Sequence, residues 1–248
     1  MKIALIGYGK MGKEIEQVAI GLQHEIVLKI GNKNTDEFTS ENLKKADVAI
    51  EFTTPQSAPG NILKCINAGV PVVCGTTGWF DKMEEVKTIC IEKNQSFFYA
   101  SNFSIGMNLF SRLNVYLARL MKNQSAYYPA IEEVHHIHKK DAPSGSAIAL
   151  AEGIMKENDR IKKWVMDGEP KEGELPIESI RVGQVPGTHT VYYTSEADEI
   201  KISHEAYSRK GFAEGAVHAA EWLIGKKGVF GMGEMLREEV ISFMFHLP

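Results

Sequence analysis

Five short apolar runs, Ile3–Ile6, Glu25–Ile30, Val48–Phe52, Val70–Cys74 and Ser96–Ala100, alternate with helical spacing through the first hundred residues. The helical recurrence is clearest at Ile15, Val18, Ala19 and Leu22, and continues across 57–69 and 80–94. A run that is apolar on both faces has no solvent side, so such strands separated by helices require a parallel sheet covered on both faces. The N-terminal part of the chain therefore reads as a doubly wound α/β domain.

The first strand leads into Gly7-Tyr8-Gly9-Lys10-Met11-Gly12, which opens the first helix. In that setting the motif is a dinucleotide turn of the Rossmann type. Gly7 allows the tight turn, Gly9 lets the backbone approach a pyrophosphate, and Gly12 lets the helix pack closely. Ligands of open parallel sheets lie at the carboxyl ends of the strands, so Thr53-Thr54-Pro55 and Gly75-Thr76-Thr77-Gly78 should line the same ligand. The second strand ends in Gly31-Asn32-Lys33-Asn34, without the carboxylate that would bond the free ribose of NAD. Nothing there repels a 2′-phosphate, and Lys33, with Lys10 or Lys29 nearby, favours one. The expected cofactor is NADPH ahead of NADH.

Past residue 104 the pattern changes. A long helix carries Met107, Phe110, Leu113, Leu117 and Leu120, and strands are expected at Tyr127–His138, Ile177–Val185, His189–Ser195 and Glu199–Ala206. This predicts an α+β substrate-binding and oligomerisation domain, 105–212, with a mostly antiparallel or mixed sheet, behind a dinucleotide-binding domain, 1–104. Helical spacing returns at Phe212, Ala216, Ala219, Ala220 and Leu223, so 213–248 should pack back on the first domain or on a partner subunit. Gly168–Pro176, rich in Glu, Lys, Gly and Pro, reads as a mobile surface loop.

Composition narrows the class. The 248 residues are 44% apolar and 24% charged, the balance of an ordinary folded protein. A net charge of −4 offers no field for steering onto nucleic acid. No run approaches the roughly 18 apolar residues of a membrane span, and the apolar start is too short for a signal peptide. Cys65, Cys74 and Cys90 are odd in number and form no C-x-x-C, so neither a disulfide framework nor a thiolate zinc site is expected. The expectation is a cytoplasmic protein.

Chemistry concentrates in Glu132-Glu133-Val134-His135-His136-Ile137-His138-Lys139-Lys140-Asp141-Ala142-Pro143-Ser144-Gly145-Ser146. Histidine titrates near neutral pH, and the first N–H groups of a helix point at negative charge, so this segment can move a proton and hold a small carboxylate. Asp141 or Ser144 can cap a helix whose apolar face includes Ile148, Leu150, Ala151 and Ile154, leaving the N–H groups of Gly145 and Ser146 for an anion. Lys139 adds a point charge and a transferable proton. If 132–138 is extended, His136 and His138 share a face and His135 takes the other. The flanking lysines and the lack of H-E-x-x-H spacing speak against a metal. His189, His204, His218 and His246 stand alone and read as structural.

The stretch Glu133–Ala147 resembles the signature of the 4-hydroxy-tetrahydrodipicolinate reductases, also called dihydrodipicolinate reductases, of the diaminopimelate route to lysine. Gly7–Gly12, Gly75–Gly78, Ala100-Ser101-Asn102-Phe103-Ser104-Ile105-Gly106 and Ser208-Arg209-Lys210-Gly211-Phe212 complete the resemblance in the family's order across nearly the whole chain. It implies NAD(P)H-dependent reduction of a cyclic dicarboxylate, with hydride going to C4 as water is lost and no metal. By the same resemblance, His135 is the proton donor or acceptor, Lys139 the proton donor and His136 a substrate contact. Gly145 with Ser146 forms the carboxylate cradle, Ser144 is a further substrate-binding residue, and Ala100, Ser101, Asn102 and Phe103 join the cofactor loops. Assembly as a homotetramer through the second domain is implied too. Ser146 stands where threonine is usual, which keeps the hydroxyl. The shorter glycine turn and the abbreviated segment after the second strand both touch nucleotide preference. Another two-domain NAD(P)-dependent dehydrogenase would explain the first domain but not His135–Ser146. A non-catalytic NAD(P)H sensor would need neither acid nor base.

Overall fold

The computed structural model describes residues 1–166 and 169–245, with side chains as far as Glu239 in the last helix. The chain divides into two compact units, Met1–Ser104 with the segment from Arg209 onward, and Ile105–Ser208. Re-entry into the first unit comes a few residues before the 213 expected from helical spacing.

The first unit contains β1 (Lys2–Ile6), α1 (Lys10–Gly21), β2 (Glu25–Ile30), α2 (Ser40–Leu43), β3 (Val48–Glu51), α3 (Ala58–Ala68), β4 (Val72–Cys74), α4 (Met83–Glu92) and β5 (Ser96–Tyr99). The second unit follows with α5 (Ile105–Met121), β6 (Tyr128–His135), α6 (Gly145–Glu157), β7 (Lys163–Val165), β8 (Glu174–Arg181), β9 (Gly187–Thr194) and β10 (Glu199–Ala206). The chain then returns to the first unit as α7 (Lys210–Leu223), β11 (Gly228–Phe230) and α8 (Met232–Phe245).

The first sheet is parallel throughout, in the order β11-β5-β4-β3-β1-β2. β3 and β4 are buried along their whole length, and β1 from Ile3 onward, as a sheet covered on both faces demands. The order departs from β1 in both directions, to β2 and to β3, and open sheets bind ligands beside such a switch point. Phe103, buried at the end of this sheet, packs on Phe52 and Phe98 with ring centroids 5.7 and 5.9 Å away. The sixth strand, β11, was not expected. At three residues it is too short to show a period, and its parallel pairing with Ser96–Phe98 places it.

The second sheet is mixed, in the order β10-β9-β6-β8-β7. β9 runs antiparallel to β10 and β6, while β8 runs parallel to β6 and β7. Met107, Phe110 and Leu117 of α5 and Leu150, Ala151 and Ile154 of α6 cluster with Ile131, Ile177 and Val191 of the strands. Each of the larger side chains among them, Leu, Ile, Val, Met or Phe, contributes about 1.5–3 kcal/mol on burial.

The strand through the histidines stops at His135, and a turn follows in which Lys139 N–H donates to the His136 carbonyl at 3.0 Å. Alternation therefore does not govern His136–His138. Part of the supposed loop 168–176 is strand: Glu174–Pro176 pairs with β7, and Leu175 is fully buried. Pro176 is tolerated because pairing with β6 begins only at Ile177. Gly168 lies outside the described residues.

Candidate active site

In the first unit the glycines of the opening turn play different parts. Gly7 sits at φ +102°, and a Cβ there would lie 1.9 Å from the Phe52 carbonyl oxygen. A Cβ on Gly12 would lie 2.3 Å from the Gly7 oxygen. The N–H groups of Gly7 and Tyr8 both donate to the Ile30 carbonyl at 2.9 Å. The fold itself thus demands the first and third glycines. Around Gly9 there is open space within 4 Å of where a Cβ would be, and this residue caps α1 with no side-chain bond and no acidic residue in the first turn. Free N–H groups, the positive end of a helix dipole and room for close approach suit a pyrophosphate, so these residues fit NAD(P)H.

The neighbouring loops are joined to one another. Thr53 N–H donates to Thr76 Oγ1 at 2.7 Å, the Thr76 carbonyl accepts from Trp79 Nε1 at 2.7 Å, and Ala100 N–H donates to the Cys74 carbonyl at 3.2 Å. Beneath them Glu51, fully buried, accepts from the Thr53 hydroxyl and from the Cys74 thiol, the latter at 3.0 Å. Glu51 lies inside the apolar run Val48–Phe52, and nothing in the spacing marks its carboxylate as a buried acceptor. Thr77 and Ser101 are exposed and Asn102 half-buried. Lys10 and Lys33 are exposed as well, but Lys29 is engaged. Its Nζ lies 3.2 Å from Glu16 and 5.2 Å from the centre of the Tyr8 ring, whose hydroxyl also donates to Glu16. Of the three lysines considered for a 2′-phosphate, Lys29 is thus the one already paired with a carboxylate.

In the second unit the period-2 geometry of β6 sets Ile131, Glu133 and His135 on its buried face. Cross-strand register brings Arg181 on β8 opposite His135, and His189 on β9 opposite Glu133. Glu133 Oε1 accepts from Arg181 Nη2 at 2.8 Å and from Ser144 N–H at 3.1 Å, while Oε2 lies against His135 Nδ1. The His135 and His189 rings meet edge-on, 5.1 Å between centroids. Ser144 Oγ accepts from Ala147 N–H at 3.2 Å and lies 3.1 Å from His189 Nε2, so Ser144 is the helix cap. Gly145, exposed with open space at its Cβ position, and half-buried Ser146 start α6. Asp141, the other cap considered, instead receives Lys139 Nζ on both oxygens at 2.9 and 2.8 Å. The Asp141 carbonyl accepts from Arg181 Nη2 at 2.7 Å. One guanidinium thus links the Glu133–His135 pair to the loop bearing Lys139.

Of the histidines, His136 is half-buried, with its ring 6.2 Å from that of exposed His138. His204 packs against Phe110, and His218 pairs with Glu239. His246 lies outside the described residues. The isolation of His189 in the sequence does not survive folding. Glu133, Arg181 and His189 are the residues that sequence reading missed, and only Glu133 carried a signal, being two positions before His135 on a strand. Glu133, His135 and His189 offer three possible metal-ligand atoms within 4.8 Å of one another, yet protein donors already occupy Glu133 Oε1.

The electrostatics follow from burial. Burial would raise the Glu133 carboxyl, but the donor groups gathered around it, His135, Arg181, Ser179 and Ser144, outweigh it and hold the group well below the usual carboxylate range. Burial, and then the adjacent His135, push His189 down from 6.5 to about 4. Between those pH values the unfolded chain binds a proton at His189 that the folded protein refuses, so stability falls as pH drops through the window. The loss is on the order of 3 kcal/mol. Glu133 adds stability that is present above the ordinary carboxylate range and is lost as pH falls further. Melting temperature should therefore decline on acidification from about 6.5 toward 4. His189→Gln, with no titrating ring, should give a flatter curve over that interval. Identical slopes for the two proteins would place the acid sensitivity elsewhere.

Comparison with known proteins bears on the whole chain. The family model described as dihydrodipicolinate reductase, N-terminus, matches residues 1–103, and that described as dihydrodipicolinate reductase, C-terminus, matches 106–236. A 4-hydroxy-tetrahydrodipicolinate reductase of Christiangramia forsetii is 46% identical over 240 residues, covering 96% of this chain and 98% of its own. One from Methanoregula boonei is 36% identical over 196 residues, covering 78% and 76%. A dipicolinate-bound dihydrodipicolinate reductase from Paenisporosarcina sp. TG-14 shares the fold, with a TM-score of 0.78 at 23% identity over 94% of this chain and 98% of that one.

Proposed function

This chain belongs to the dihydrodipicolinate reductase family, and from that premise we propose how its residues divide the work of NAD(P)H-dependent reduction of (2S,4S)-4-hydroxy-2,3,4,5-tetrahydrodipicolinate. The product is (S)-2,3,4,5-tetrahydrodipicolinate, formed with loss of water on the diaminopimelate route to lysine. The observation that carries the reading is the His135–Ser146 segment, where an imidazole and an ammonium group stand in one bonded network with the start of α6.

The N–H groups of Gly145 and Ser146 take a substrate carboxylate, because the first turn of α6 leaves them without helical partners. His136 and Lys139 supply further polar contacts. Ser144 has its N–H and hydroxyl committed inside the unit, so its part is to hold that turn. Bound NAD(P)H supplies the hydride to C4. Lys139 donates the proton that the reduced ring then requires, and His135 serves as the proton donor or acceptor beside it. The dipicolinate held by the Paenisporosarcina relative supports a planar dicarboxylate ligand for this chain as well.

Gly7–Gly12, Thr53, Gly75–Thr77 and Ala100–Phe103 hold the cofactor. NADPH is the preferred form, supported by exposed Lys33 and the absence of a carboxylate from Gly31–Asn34 directly after β2. Among the described residues no helix is long and apolar enough to cross a membrane. We place the enzyme in the cytoplasm as a homotetramer joined through its second unit.

The test is oxidation of NADPH and NADH by purified protein, with substrate made in situ by a synthase from pyruvate and aspartate semialdehyde and the product identified by mass. Synthase-dependent oxidation is expected with NADPH favoured. Silence with both cofactors, in folded protein that binds NADPH, would overturn the reading. Lys33→Glu should lower the NADPH-to-NADH ratio of kcat/KM by roughly two- to five-fold, the scale of one exposed charge contact. An unchanged ratio would remove Lys33 from the 2′-phosphate site.

A further inference from the structure

We propose that Glu133, Arg181 and Gly187 form a seat that fixes the tautomer of His135 and keeps its Nε2 clear. The proposal rests on the reductase reading for its kinetic consequences but not for its geometry. Glu133 has no exposed surface, and Oε1 already receives two donors, Arg181 Nη2 at 2.8 Å and Ser144 N–H at 3.1 Å. That leaves Oε2 for His135 Nδ1, which lies against it. An ionised carboxylate only accepts, so Nδ1 carries the hydrogen and Nε2 is left as the basic nitrogen. The same carboxylate stabilises the imidazolium once Nε2 takes a proton, as the third member of a catalytic triad does for its histidine.

Gly187 completes the seat from β9. A Cβ there would lie 3.0 Å from His135 Nε2 and 3.3 Å from Cδ2, so any side chain would crowd the nitrogen that must stay open. Arg181 has two tasks. It satisfies Glu133, and through the Asp141 carbonyl it ties the Lys139 loop to the same carboxylate. A buried ion pair is a poor way to stabilise a core, since matched apolar groups do as well or better. Its presence beside a catalytic histidine is accounted for by orientation. Charged or titratable groups around His135 come from each packed element: Glu133 on its own strand, Arg181 on β8, His189 on β9 with His204 beyond it on β10, and Lys139 with Asp141 in the loop.

The experiment is nuclear magnetic resonance of the full-length protein with isotopically labelled histidine, which reads the tautomer directly. At mildly alkaline pH His135 should carry its hydrogen on Nδ1, and an Nε2–H tautomer would overturn the proposal whatever the activity. Glu133→Gln should populate the other tautomer, lower kcat by about ten-fold or more, and shift the acidic limb of the pH–rate profile to lower pH with NADPH affinity unchanged. Gly187→Ala should lower kcat without moving that limb. A limb that stays put in Glu133→Gln, in protein as folded as wild type, would reduce Glu133 to a structural part. If the tautomer is as expected and wild-type protein lacks reductase activity, the seat stands and the functional reading falls.

Discussion

Lys139→Ala is expected to lower kcat by about 10²–10⁴-fold, the range for loss of a positioned proton donor, while NADPH binds as before. The lysine lies in the turn after β6 with its ammonium on Asp141, in the unit that does not carry the glycine turn. Alanine also removes a charge from the dicarboxylate's surroundings, so KM should rise as well. Lys139→Arg separates the two effects. Arginine keeps the charge and can keep the pairing with Asp141, but it does not give up a proton in a protein. KM should recover toward wild type and kcat should not. If arginine restores kcat, Lys139 acts by charge alone. If alanine weakens NADPH binding as much as turnover, the lysine is structural.

What the sequence disclosed and what it withheld divide by the range of the interactions. Strand-helix alternation and the glycine turn are local, and both appear where the spacing places them, because a doubly wound sheet has few ways to bury strands that are apolar on both faces. The helix start at Ser144 was legible for the same reason, since an N-cap is a contact over three residues. His189 and Arg181 were not legible. They reach Glu133 and His135 only through the register of β9 and β8 against β6, a pairing that no spacing in one chain displays. β7 and β11 were missed because three residues cannot show a period. The loop reading of 168–176 failed at Leu175, one buried residue among polar ones. Glu51 was hidden in a different way. One partner, Thr53, sits on a loop assigned to the cofactor and the other, Cys74, ends the strand before the second such loop, but a lone carboxylate in an apolar run gave no hint of inward-facing partners.

The glycine turn yields the second large effect, because its three glycines should fail differently. Gly7→Ala forces a side chain into a left-handed conformation at φ +102° and to within 1.9 Å of the Phe52 carbonyl. Strain of that kind, added to overpacking against backbone, should cost roughly 2–5 kcal/mol and lower the melting temperature with or without cofactor. Gly12→Ala should behave similarly, its Cβ lying 2.3 Å from the Gly7 oxygen. Gly9→Ser is the informative change. Gly9 has an ordinary φ of −89°, open space around its Cβ position and the cap position of α1, where serine is among the preferred residues. Stability of the free protein should therefore hold or rise slightly. NADPH affinity should drop by at least about ten-fold, since the new side chain fills the approach to the helix and its hydroxyl competes for the N–H groups that a pyrophosphate needs. Calorimetric titration of NADPH into the three variants, beside their melting curves, separates fold from function at this turn. Wild-type affinity in Gly9→Ser would mean that the open space at the start of α1 is not where the dinucleotide sits.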